Sequence, residues 1–159
     1  MTNATTADVR LTQLCTFWLD GLFFGVDVAQ VQEVLRYQEM TTVPRAPRAV
    51  RGLINLRGQI VTAVDLRCRL GLPDRSPEQW PMNVIVRGRG EVQSLLVDDI
   101  GDVIDTTDYP LEPAPANLPE SVREALLGVM SLPDAILLVL DSDRAVDCAT
   151  TPESVGGTP

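Results

Sequence analysis

The chain has 159 residues, 45% of them apolar and 22% charged, an ordinary balance for a globular protein long enough to bury a core. Its net charge is −9, with 22 acids set against 13 basic residues, every one an arginine; there is no lysine and no histidine. These absences exclude a Ser-His-Asp triad, histidine metal ligands, a Schiff-base lysine and a phosphate-loop lysine, and the acidic excess leaves no electrostatic drive toward nucleic acid.

Residues 1–12 are polar and read as a disordered tail, without the basic start or apolar stretch of a secretory signal. No apolar run anywhere approaches the ~20 residues a membrane helix needs, so a cytoplasmic protein without direct membrane insertion is expected. Residues 14–19 and 22–26 are apolar segments around Asp20-Gly21, the strongest short hairpin signal in the chain. Five of the seven aromatics lie before residue 40, so this hairpin is expected to anchor a core. Residues 27–31 suit a brief helical turn capped by Asp27, and 32–37 continue as a strand. Pro44 and Pro47 break regular structure, leaving 46–52 as a loop or a single helical turn.

Residues 53–56 and 60–64 flank Arg57-Gly58-Gln59 and read as short strands buried on both sides. Gly58 supplies the positive φ of a tight turn, which holds Arg57 at its tip. Arg57 is then either a solvated turn residue or a planar recognition group for a carboxylate. Residues 66–70 suit a helical turn ended by Gly71, and 74–81 read as a connector.

Charge changes at that connector. Residues 1–72 hold 8 Arg and 6 acids, net +2, and residues 73–159 hold 5 Arg and 16 acids, net −11. The arginines of the first half, Arg45, Arg48, Arg51 and Arg57, either meet an acidic protein surface or simply lie on a solvated face. Further strands are expected over 83–86, 92–97 and 101–105, with a turn at 88–90. Residues 119–127 have helical spacing, with Val122, Leu126 and Leu127 on one side, and 135–140 form a last buried strand. Residues 142–159 read as a flexible tail.

About five short strands on either side of 74–81 predict an all-β fold of two small five-stranded barrels with short helical turns. The cysteines, Cys15, Cys68 and Cys148, lie too far apart for a metal knuckle, and Cys15 and Cys68 fit as small buried side chains. Asp98, Asp99, Asp102 and Asp105 are the only dense acidic group, but strand alternation turns Asp98 and Asp99 to opposite faces. Asp141, Asp143 and Asp147 imitate the start of a calcium loop without its glycine and glutamate. No metal, cofactor or catalytic residue is expected.

Val31-Gln-Glu-Val34, Pro44-x-x-Pro47, Arg51-Gly-Leu-Ile-Asn-Leu-Arg-Gly-Gln-Ile-Val61 and Val64-Asp-Leu-Arg67, in this order, resemble the CheW-type coupling proteins of bacterial chemotaxis. The likeness continues through Leu96-Val-Asp-Asp-Ile-Gly-Asp-Val103, Leu127-Gly-Val-Met130 and Ala135-Ile-Leu-Leu-Val-Leu140. The resemblance implies two SH3-like barrels, roughly 13–72 and 73–141, with exchange of strands between them left open. It also implies a non-catalytic adaptor between the regulatory domain of a CheA-type histidine kinase and the cytoplasmic signalling tip of methyl-accepting chemoreceptors.

By position, Val31 and Glu33 would line the first barrel's contact face, Gly52 would let partner backbone approach, and Arg57 would make a polar contact. Ile100 and Val103 would complete an apolar groove wall, or else be ordinary core residues. Thr62-Ala63 departs from the usual family pattern, which leaves the identity of the partners open. The alternatives are a regulatory segment of a larger signalling protein, against which the start methionine and flanking tails argue, and a carboxylate-based β-barrel enzyme.

Overall fold

The computed structural model describes residues 11–88 and 90–147. Ten strands run in chain order: β1 (Gln13–Leu19), β2 (Leu22–Asp27), β3 (Val31–Leu35), β4 (Val50–Leu56), β5 (Gln59–Asp65), β6 (Met82–Gly88), β7 (Glu91–Val97), β8 (Asp99–Asp105), β9 (Leu126–Ser131) and β10 (Ile136–Leu140). The helices are single turns, namely α1 (Leu66–Arg69), α2 (Glu120–Arg123), α3 (Ser142–Ala145) and a 3-10 turn at Val28–Gln30.

The strands form two five-stranded sheets, ordered β8-β1-β2-β10-β9 and β3-β6-β7-β5-β4, each a small SH3-like barrel. Both sheets draw strands from both halves of the chain, so the division expected near residue 73 falls inside the second sheet, between β5 and β6. Each sheet contains one parallel pairing between distant strands, Leu138 beside Phe24 and Val64 beside Leu95.

Two hairpins follow from turn chemistry. Asp20 and Gly21 (φ 50° and 79°) join β1 to β2, and Arg57 and Gly58 (φ 51° and 91°) join β4 to β5. Positive φ at both central residues matches the right-handed twist of the flanking strands. Asn55 reinforces the second turn, its Oδ1 accepting from the Gly58 N–H at 2.9 Å. Asp27 caps the 3-10 turn by accepting from Ala29 N at 3.0 Å, and Asp65 caps α1 by accepting from Arg67 N at 3.1 Å. Gly71, at φ 74°, follows that turn.

The largest apolar cluster draws on both sheets. It joins Phe17, Phe24 and Leu140 of the first to Val84, Val86 and Leu95 of the second. Phe17 and Phe24, opposite each other on β1 and β2, stack with centroids 5.8 Å apart. A smaller cluster fills each sheet's own interior, Leu14, Met130, Leu137 and Val139 in one and Ile54, Val61, Ala63 and Ile85 in the other.

Several expectations are corrected. Only Glu120–Arg123 is helical in the 119–127 segment, and Leu126 and Leu127 belong to β9. Pairing of Leu126 with the apolar strand β10 overrides helical spacing there. Residues 53–56 and 60–64 are not buried on both sides throughout: β4 alternates and Ile60 is 60% exposed. Gly52, read as loop, is a strand residue. The start of the expected flexible tail is corrected: Ser142–Ala145 is helical, and Ala145 and Val146 are core residues. At the other end, Thr12 accepts a backbone hydrogen bond from Thr106 at 2.8 Å. Residues 1–10 and 148–159, Cys148 among them, lie outside the described residues.

Candidate interaction surface

The β4–β5 turn projects Arg57 with 70% of its side chain exposed, and its guanidinium pairs with Glu33 on β3. Strands β3 and β4 are the two edges of the second sheet, so this pair links one edge to the other. Nearby on β4, Leu53 exchanges backbone hydrogen bonds of 2.8 Å with Thr41, in the segment that follows β3. Gly52 directly precedes Leu53 of that bridge. A Cβ on Gly52 would stand 2.6 Å from the Thr41 carbonyl oxygen, so the backbone that approaches this glycine is the chain's own. The space beside Gly52 is thus taken up by the chain's own segment around Met40 and Thr41.

Strand β8 is an edge of the first sheet. Ile100 lies opposite Phe17 and Val103 opposite Cys15, with a bulge between. Residues directly opposite in an antiparallel pair share a face, and both Phe17 and Cys15 belong to the inter-sheet cluster. The bulge thus turns two residues three apart toward the same side. Ile100 packs half-buried on the cluster, whereas Val103 remains 52% exposed. Val31, at the start of β3, packs half-buried on the same cluster from the other sheet. An edge strand of each sheet therefore carries partly exposed apolar surface against the core that joins them. The structure brings Glu33 and Arg57 into contact and sets Val31 and Ile100 on a common cluster.

Sequence reasoning missed a second charge constellation. Asp98, in the link from β7 to β8, accepts from Arg67 Nε at 3.0 Å, from Arg75 Nε and Nη2 at 3.2 and 3.1 Å, and from the Asp20 N–H at 2.8 Å. Asp65 accepts from Arg51 Nε at 2.9 Å and lies 3.4 Å from Arg75. Asp65, Arg67, Arg75 and Asp98 are all largely buried at their side chains. Burial pushes the Asp98 carboxyl up, but hydrogen bonds and charge from Arg67 and Arg75, with the Asp20 N–H, outweigh it and hold the group below the usual carboxylate range. Arg67 is raised by its hydrogen bond to Asp98 against desolvation.

The available signal was Asp65-x-Arg67 directly after an apolar strand, where a local cap and a buried ion pair look alike in one dimension. Asp98 is thereby removed from the acidic group considered for metal, while Asp99 caps its own neighbour, Ile100, and Asp105 accepts from Thr107. Asp141 caps α3 instead of opening a calcium loop. Among the described residues no group of three acids or thiols is disposed to hold a metal ion. Burial pushes the Cys15 thiol up, which suits a packed side chain and not a nucleophile.

The family model described as "CheW-like domain" matches residues 13–149. The chemotaxis protein CheW of Klebsiella aerogenes is 28% identical over 80% of this chain and 77% of its own length. The chemotaxis protein CheW of Bacillus subtilis is 25% identical over 94% of this chain and 97% of its own. Among solved structures, the scaffolding protein TtCheW from Thermoanaerobacter tengcongensis superposes with a TM-score of 0.76 at 26% identity, covering 86% of this chain and 92% of that one.

Proposed function

This chain belongs to the CheW-like family of chemotaxis scaffold proteins, and on that premise we propose that it couples cytoplasmic chemoreceptor tips to a CheA-type histidine kinase without performing chemistry itself. The observation that carries this reading is the pairing of an exposed, conformationally held Arg57 with partly exposed apolar residues on two sheet edges. A charged tip of this kind selects a partner and speeds encounter, and an apolar trough takes up the stripe of an amphipathic helix. In this reading Arg57, Glu33 and the flank of Val31 face the kinase regulatory domain. Ile100 and Val103 face the receptor hairpin. Gly52 contributes by holding the β4 edge shut, so that the hairpin is presented in one shape.

No helix among the described residues is long and apolar enough to cross a membrane, and attachment to a receptor array would run through these protein contacts. The test is reconstitution. Receptor-dependent kinase activity, measured with a receptor cytoplasmic fragment and the kinase, should rise on adding this chain and return to the two-component level when it is omitted. Equal activity with and without the chain would refute the coupling role.

A further inference from the structure

Tyr37, just past β3, and Trp80, at the end of the connector before β6, meet edge to face with centroids 4.6 Å apart and planes at 77°. Trp80 still leaves 66% of its surface exposed, more than any other large apolar side chain among the described residues. Exposed aromatics of this kind are where binding energy concentrates. The connector that presents Trp80 is pinned from below, since Arg75 is buried and bonded to Asp98 at 3.1 Å. A ledge fixed before contact loses little freedom on binding.

Tyr37 lines two adjoining hollows, which also share Met40, and Trp80 joins them through its contact with Tyr37. One of about 320 Å³ lies under the connector, with Pro77 and Pro81 on its wall, and another of about 630 Å³ runs along residues 37–41 toward Asn55. Its arginines are already engaged, Arg51 by Asp65 at 2.8 Å and Arg75 by Asp98. Its open charges are carboxylates. Asp74, on the wall of the first hollow, is 73% exposed and reaches Arg51 only at 3.8 Å, Glu39 is exposed on the wall of the second, and Glu78 is exposed on the connector.

We infer that this cleft docks an extended, proline-bearing, basic segment of a partner protein. Proline rings lie flat on Trp80 and Tyr37, and an arginine or lysine of the segment meets Asp74 and Glu78. An extended proline segment loses little conformational entropy on binding and suits a cleft with exposed aromatic rings. A guanidinium gains from both the carboxylate rim and the indole face. None of Val31, Glu33, Gly52, Arg57, Ile100 and Val103 lines the cleft, so this surface is additional to the one assigned to kinase and receptor.

The experiment is an NMR titration of the full ¹⁵N-labelled chain, whose two tryptophans supply two indole N–H signals. The probe is a capped ten-residue peptide of eight prolines and two arginines. Its controls replace arginine by glutamate, or proline by glycine. The arginine–proline peptide should shift the Trp80 indole saturably. Trp80→Ala should weaken binding roughly tenfold or more, measured on the Asp74 amide. Asp74→Asn with Glu78→Gln, exposed changes that leave the fold alone, should weaken it severalfold. No saturable shift, or equal shifts with the glycine or glutamate peptide, overturns the inference. A Trp80 shift on concentrating the protein alone, lost in Arg45→Glu, would give the cleft to a second copy's Pro44–Arg48 turn and also overturn it.

Discussion

Two arginine–carboxylate sites flank the second sheet, and they differ in one respect that decides their roles. Arg57 and Glu33 meet in solvent, where an ion pair contributes about 0–1 kcal/mol and can be exchanged for a partner's charge at little cost. Arg67, Arg75, Asp65 and Asp98 meet under cover, where an unmatched charge is expensive and every group is already matched. The same chemistry therefore serves recognition at the hairpin tip and construction at the link between sheets.

The sharpest way to break this comparison is to remove one buried partner. Asp98→Ala removes the carboxylate that Arg67 and Arg75 share, leaving them only the longer carboxylate contacts to Asp20 (3.8 Å) and Asp65 (3.4 Å), and should cost about 3–5 kcal/mol in urea unfolding; a cost below 1 kcal/mol would place the network in solvent. Gly52→Ala comes next. Its new methyl collides with the Thr41 carbonyl, a backbone atom, so about 1–3 kcal/mol should be lost by the same measurement.

The buried site should also carry a pH signature. Asp98 titrates below its ordinary value, so its contribution is complete above about pH 4 and is lost as pH falls from there through the folded-state value. Unfolding free energy should fall more steeply on acidification in the parent chain than in Asp98→Asn, and parallel curves would contradict the pairing. Val103→Ser tests the exposed side. It should change stability by no more than about 0.5 kcal/mol while weakening receptor-fragment affinity, because the methyl groups lost are half in water already. Marked destabilisation with unchanged affinity would return Val103 to the core.

What could be read in one dimension was local. Asp20-Gly21, Arg57-Gly58, the Asp27 cap and Gly71 are short-range chemistry, and the strands they bound appear close to where the pattern placed them. The pairing of β2 with β10 and of β5 with β7 joins residues far apart, and apolar runs carry no label for a distant partner. Leu126 was misread for that reason, since its spacing is helical and its partner is Leu140. At the site, Arg57 was legible from its turn. The closure by Gly52 against Thr41 was not, because a glycine in a strand looks the same whether it admits a partner or its own chain. The buried ion network needed Arg75 and Asp98 to be brought together from opposite sides of β6 and β7.

Arg57→Glu tests the central claim most directly, with urea unfolding and affinity for the kinase regulatory domain measured on the same preparation. Reversing the charge places two acids together on an exposed edge, so the unfolding free energy should stay within about 0.5 kcal/mol of the parent chain. Affinity should fall roughly tenfold or more, as it does when like charges face each other across an interface. Unchanged affinity, with or without a loss of stability, would contradict the account and leave Arg57 as the staple of a barrel edge and nothing more.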